Sequence, residues 1–296
     1  MLLELSHHFL LPILFITGLT AGTVDAIAGG GGLISLPILL SVGIPPHLAL
    51  GTNKFQSTFG TSIAAYSYYR HGIIDKQKIL AGLIFTLLGA LIGAISIQYL
   101  SGDILKRIIP SILLVVLIYT LFAPKKLSGS DLAPKLSEKT FYLIFGLALG
   151  FYDGFLGPGV GSFWVFAFMF FLDFSLVKAT AYTKIFNLNT NIVALICFAL
   201  TQHIDYRIGI CMAAGQLIGG RLGAYLAIKK GAELIRPLFV LVVSGTIVTL
   251  IYKSYAGSRM VEHFNMATKI IFSLILLTTI SMVYIWRTKK LNEVTS

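Results

Sequence analysis

Two aspartates, Asp25 in GTVDAIAGGGG and Asp153 in GFYDGFLGPGVG, each stand alone in an apolar segment a few residues before a glycine run. Three cations, Lys54, Lys184 and Arg221, fall inside apolar segments of the same kind. An ionisable group at mid-bilayer depth costs about 2.5 to 3.5 kcal/mol on insertion scales, so these five mark an interior cavity, an ion-pair network, or both. The glycines Gly29, Gly30, Gly31 and Gly32, and Gly157, Gly159 and Gly161, add a second kind of chemistry. A helix broken at such a run exposes backbone N–H groups, and the positive end of the next short helix faces the break. Glycine suits the position because the chain must turn sharply and leave no side chain between backbone and solute. With the three cations nearby, the breaks would attract an anion, to which Thr52, Asn53, Gln56, Thr183, Asn187 and Asn191 offer neutral hydrogen bonds. The plainer alternative is that Asp25 and Asp153 only neutralise the lysines and pin helices together.

Other chemistries find little support. Neither GGGGLIS nor GPGVGSF completes a nucleotide-binding glycine loop, and neither sits in an alternating strand and helix pattern. Cys197 and Cys211 lie in apolar helices without a CxxC partner, and the six histidines show no metal-ligand spacing, so no metal and no cofactor is expected. No nucleophile and base pair stands out, which argues against an enzyme.

The elements that must hold these residues are membrane helices. Of 296 residues 56% are hydrophobic and only 12% charged, a balance that places the chain in a bilayer. Long uncharged runs approach the ~20 residues that span a hydrocarbon core. The net charge of +11 resides mostly in short loops between apolar segments, the ordinary topology signal, so nucleic acid is not an expected partner. Phe9 to Ala21 could pass for a signal peptide, but no Lys or Arg precedes it and its pattern recurs at residues 146–161, so it is read as the first membrane segment.

That recurrence extends along the chain. An offset of 128 places Gly18 on Gly146, Gly22 on Gly150 and Asp25 on Asp153; after a two-residue slip, an offset of 130 places Lys54 on Lys184, Asp75 on Asp205 and Gly89 on Gly219. The predicted fold is therefore all-α, a polytopic transmembrane bundle of two repeats. Each repeat carries a glycine-broken helix and a half-helix near Leu33–Gly43 or Val160–Phe171, then three fuller helices. Residues 1–123 form the first repeat, 124–138 a polar cytoplasmic linker, 139–252 the second repeat, and 253–296 one extra transmembrane helix with a basic tail. If each repeat has an odd number of crossings, fourteen loop Lys and Arg fall on one face and six on the other, against eleven and nine for a parallel arrangement. The positive-inside rule thus predicts inverted repeats with a cytoplasmic C-terminus.

DAIAGGGGLISLPILLSVGIPPHLALGTNKFQSTFG, with GFYDGFLGPGVGSFWVFAF and ATAYTKIFN in the second half, resembles the sulfite exporter TauE/SafE family, also called the toluenesulfonate uptake permease family, and most of all its YfcA-like branch. The resemblance runs from about residue 10 to 255. It implies a multi-pass plasma-membrane permease or exporter of small sulfur-containing anions such as sulfite or organosulfonates. It places the motif on Asp25, Gly29 to Gly32, Pro37, Thr52, Asn53 and Lys54, and on Asp153, Gly157, Gly159, Gly161, Thr183, Lys184 and Asn187. The second repeat departs from the glycine-rich form at Pro158 and Val160 and carries Trp164 and Phe166 where the first has Leu36 and Ile38, so the two half-sites cannot be chemically equal. The expected mechanism is alternating access to a midplane site, with Asp25 and Asp153 as proton carriers where transport must run against the membrane potential. The alternative is a cation or proton-coupled carrier, or a channel, with the two carboxylates as ligands. The expected partners are a small anionic solute and lipid, and a homo-oligomer is compatible with the sequence.

Overall fold

The structure, a computed structural model, describes residues 7–75, 79–122 and 134–230. Among these residues it is all-helical, with no strand. The first half contributes α1 (His7–Ala28), α2 (Gly32–Ser41), α3 (Pro46–Arg70), α4 (Leu80–Gln98) and α5 (Gly102–Phe122). The second contributes α6 (Glu138–Phe141), which runs through a π-helical turn at Tyr142–Gly146 into α7 (Leu147–Phe155), then α8 (Val160–Leu172), α9 (Leu176–Leu200) and α10 (Tyr206–Lys230). The expected helix near 233–252, the extra C-terminal helix and most of the 124–138 linker lie outside the described residues. Among the described residues three helices, Leu10–Ala28, Leu80–Gln98 and Leu176–Leu200, are long and apolar enough to cross a membrane.

Each break has a local cause. Gly29 ends α1 at φ +74°, a left-handed conformation that a side chain would strain, and α2 restarts at Gly32. Gly157 at φ +88° and Gly159 at φ +78° do the same between α7 and α8. The pieces that follow are short: ten residues of α2 rise about 15 Å and thirteen of α8 about 20 Å, against a hydrocarbon core of about 30 Å.

Contacts between the halves are crossed. α1 packs along α10, with Gly18 and Gly22 set against the backbone of Met212 and Gln216, and Gly215, Gly219 and Gly223 against α1 in return. The same seam is built between α4 and α7, where Gly89 and Gly93 meet the backbone from Leu147 to Phe155, and Gly150 and Gly154 meet Thr86 and Ala90. Small residues at four-residue spacing bring backbones close, where dispersion rather than hydrophobic exclusion must hold helices together in lipid. Loop contacts cross too. The Asp75 N–H donates to the Tyr182 hydroxyl at 3.1 Å, and the Asp205 N–H to the Thr52 hydroxyl at 2.9 Å, two bonds related by the offset of 130.

Two buried cores flank the breaks, and their chemistry differs. One is mainly aliphatic, built on α2 and α5 with Leu33, Leu36, Leu39, Leu105, Ile109 and Leu113. The other is aromatic, where Phe141, Tyr142, Trp164, Phe168, Phe174, Tyr182 and Phe186 surround α8. Trp164 and Phe186 stack there with ring centroids 5.2 Å apart.

Candidate functional site

Asp25 lies in the last turn of α1 and Asp153 in that of α7, where the negative end of the helix dipole disfavours a carboxylate. Each is held by a lysine from the other half. The Lys54 ammonium on α3 reaches Asp153 Oδ1 at 2.5 Å, and the Lys184 ammonium on α9 reaches Asp25 Oδ2 at 2.8 Å. These ion pairs tie both glycine breaks to the opposite half of the chain.

The surroundings of the two pairs are unequal. Lys54 also donates to Asn191 Oδ1 at 3.2 Å, and Asp153 accepts a short hydrogen bond from the Thr190 hydroxyl. Both side chains of that pair are 3% exposed. Asp25 instead accepts from the Gly31 N–H at 3.3 Å, and its side chain is 17% exposed. The residue that matches Thr190 at the offset of 130 is Gly60, which has no hydroxyl to give.

A cavity of about 30 Å3 lies between the breaks, lined by Asp25, Gly29, Gly32, Asn53, Lys54, Ser57, Thr61, Asp153, Gly157, Gly159, Val160, Asn187 and Asn191. That volume takes about two water molecules. Neither α2 nor α8 has a side-chain cap at its N-terminus beside it. Asn187 is 4% exposed and its Oδ1 has no hydrogen-bond partner among the described residues, leaving one end of a buried amide free for a solute. The backbones cross at this point: a Cβ on Gly29 would overlap Gly161, and one on Gly161 would overlap Gly29, while Gly32 rests on Pro158.

Most sequence-selected residues gather here, but four of the side chains stand apart as supports. Lys184 is fully buried behind Asp25 and is not among the lining residues. Thr52 serves the Asp205 loop and Thr183 donates back to the Ala179 carbonyl. Gln56 donates to Asn53 Oδ1, which also accepts from Ser35, so it orients Asn53 from outside the lining. Gly30, Gly31 and Gly161 shape the breaks without lining the cavity.

Arg221 requires a correction. It is exposed on the outer face of α10, in a separate surface groove, and adds no charge to the cavity. Its position in an apolar run suggested the interior, but on a helix that packs one face only, the register decides. The lining therefore contains two carboxylates and one ammonium, not the cationic set expected from sequence. Ser57, Thr61 and Thr190 were missed; Ser57 and Thr61 match Asn187 and Asn191 at the offset of 130, so the repeat itself carried the signal.

The match to known proteins covers these same elements. The family model for sulfite exporter TauE/SafE matches residues 14–250. The chain belongs to this family. It is 37% identical over 246 residues to the "Probable membrane transporter protein YfcA" of Escherichia coli (strain K12), covering 83% of this chain and 91% of the relative. A "Probable membrane transporter protein" of Haemophilus influenzae is 41% identical over 232 residues, covering 78% and 91%, and the "Probable membrane transporter protein ORF9" of a Sinorhizobium species is 38% identical over 239 residues, covering 81% and 91%. No solved structure matches the chain. This TauE/SafE member is thus a multi-pass membrane transporter and not an enzyme, and its breaks and both ion pairs lie within the matched span.

Proposed function

We propose that this transporter carries small anions, sulfur oxyanions or organosulfonates, through a midplane site between two inverted repeats, and that each anion is admitted by protonation of Asp25. The observation that carries the reading is the pair of crossed ion bridges around one cavity at the two breaks. The repeats, residues 1–123 and 139–252, are inverted in this reading. Its support is the exchange of partners, α1 with α10 and α4 with α7, together with the loop charge that sets the C-terminus in the cytoplasm of a plasma membrane.

Charge decides how an anion enters. Two carboxylates and one ammonium line the cavity, and Lys184 behind Asp25 brings the four groups to a net charge of zero, so the resting site offers an anion no net attraction; at an effective dielectric of 20 one unpaired positive charge 4 Å away would attract it by about 4 kcal/mol. A proton on Asp25 supplies that charge by leaving Lys184 as an unpaired cation behind the break. Asp25 is the carboxylate that solvent reaches. Sulfite and sulfonates exceed two waters in size, so loading requires the breaks to part, one repeat rocking against the other.

The test is sulfonate flux in proteoliposomes across a pH series, because a sulfonate does not itself titrate in this range. The wild-type flux should rise as pH falls and carry protons with it, whereas Asp25→Asn should transport without pH dependence and Lys184→Gln should lose most flux. Flux indifferent to both substitutions rejects the reading. A binding screen against sulfite, thiosulfate, sulfonates, carboxylates and phosphate then assigns the solute. The two carboxylates in the lining also favour a cation carrier as the second reading; sodium flux that needs no anion and is lost in Asp25→Asn selects it.

A further inference from the structure

Arg221 sits on α10 nine residues before its end at Lys230, about 14 Å along the axis, and its side chain is exposed. Among the described residues it has no carboxylate partner. Its groove, about 580 Å3, runs between α3 and α10 and is otherwise lined by Ile63, Leu217, Ile218, Leu222 and Tyr225. Ile218 is 55% and Tyr225 52% exposed, so the groove opens outward. Arg221, Tyr225 and Lys229 follow one another at four-residue spacing on one face of α10, and Lys229 donates to the Tyr225 hydroxyl at 2.8 Å. The two helices run side by side in the same direction: Gly51 meets His203 and Gly60 meets Gln216 and Gly220. The Arg70 guanidinium, 6.0 Å from the Tyr66 ring, therefore belongs to the same end.

We infer that this groove binds one anionic phospholipid, its headgroup phosphate on Arg221 and Lys229 and an acyl chain along Ile63, Leu217, Ile218 and Leu222. Charge complementarity selects the occupant. A lone guanidinium in hydrocarbon is costly, a phosphate diester neutralises it through two parallel N–H bonds, and the apolar floor suits a chain rather than a free ion. A basic and aromatic cluster at the end of a transmembrane pair is where an anionic headgroup is met. The site is remote from the cavity and stands whether or not the transported solute is an anion.

The experiment is native mass spectrometry of the full chain with added phosphatidylglycerol, phosphatidylcholine or inorganic phosphate, paired with thermal melts in nanodiscs of either lipid. One phosphatidylglycerol should bind at least tenfold more tightly than phosphatidylcholine and raise the melting midpoint, and Arg221→Gln should erase the preference while the protein elutes as wild type. Should that variant fold poorly, Ile218→Trp, which fills the groove and keeps the charge, should equally lose the bound lipid. Equal binding of both lipids, phosphatidylglycerol binding retained in both variants, displacement by inorganic phosphate alone, or a cysteine at 218 that cross-links to the chain's own C-terminal segment or to a second copy each overturns the inference.

Discussion

The two ion pairs occupy matched positions yet differ in kind. Lys54 and Asp153 are sealed, with Asn191 and Thr190 completing their bonds, while Asp25 keeps an open edge and, among the described residues, is supported by Lys184 and one backbone N–H. One hydroxyl explains much of the difference, because Thr190 stands where the first half has Gly60, and a side chain at Gly60 would press on Gln216. Positions matched by one sequence offset thus yield one pair suited to fastening and one suited to exchange with solvent.

The largest expected effect separates them directly. Lys54→Gln leaves a buried carboxylate unpaired, at a cost of about 3–5 kcal/mol, whereas Lys184→Gln should cost less, between the roughly 1 kcal/mol of exposed pairs and that figure. Thermal melts in detergent check the order, and adding Asp153→Asn to Lys54→Gln should recover most of the loss. Equal destabilisation by the two lysine variants would erase the distinction. Thr190→Val is next: a hydrogen bond to a charged group is worth about 1.5–3 kcal/mol, and its removal should also give Asp153 the solvent access of Asp25, seen as a new pH dependence of transport. Third, Asp153→Asn should keep the pH dependence of flux that Asp25→Asn abolishes, although both lower the rate.

The smallest effect belongs to the ends of the molecule. His47 and His203 stack with ring centroids 5.0 Å apart, and His203 contacts Gln98 Oε1 at 2.8 Å; the matching positions at the other end are Ile73 and Val177. Burial, and then His47, hold the His203 imidazole below its usual value of 6.5. The folded state therefore prefers the neutral ring. Its contribution is complete above about pH 6.5 and declines as pH falls toward the lowered folded value. Melting midpoints should drop slightly over that window in the wild type and not in His203→Gln.

Much of this was legible in the chain. The offsets of 128 and 130 located both breaks, the short α2 and α8, and the lysines that answer the aspartates, because unusual residues in an apolar alphabet repeat only for cause. The pairing was not legible: nothing in the spacing of Lys54 and Asp25 says that each reaches for the other half. Arg221 misled for a related reason, since an apolar run is equally apolar on its lipid and core faces. Thr190 escaped notice because threonine is common in such helices and only its contact with Asp153 gives it meaning.

Where Gly29 and Gly161 cross, main chain lies on main chain with no side chain between them. Interlocking rotamers would have to disengage before one half could slip over the other; bare backbone has nothing to unlatch. The crossing therefore acts as a lubricated fulcrum, and resistance to travel accumulates only at the glycine seams farther out.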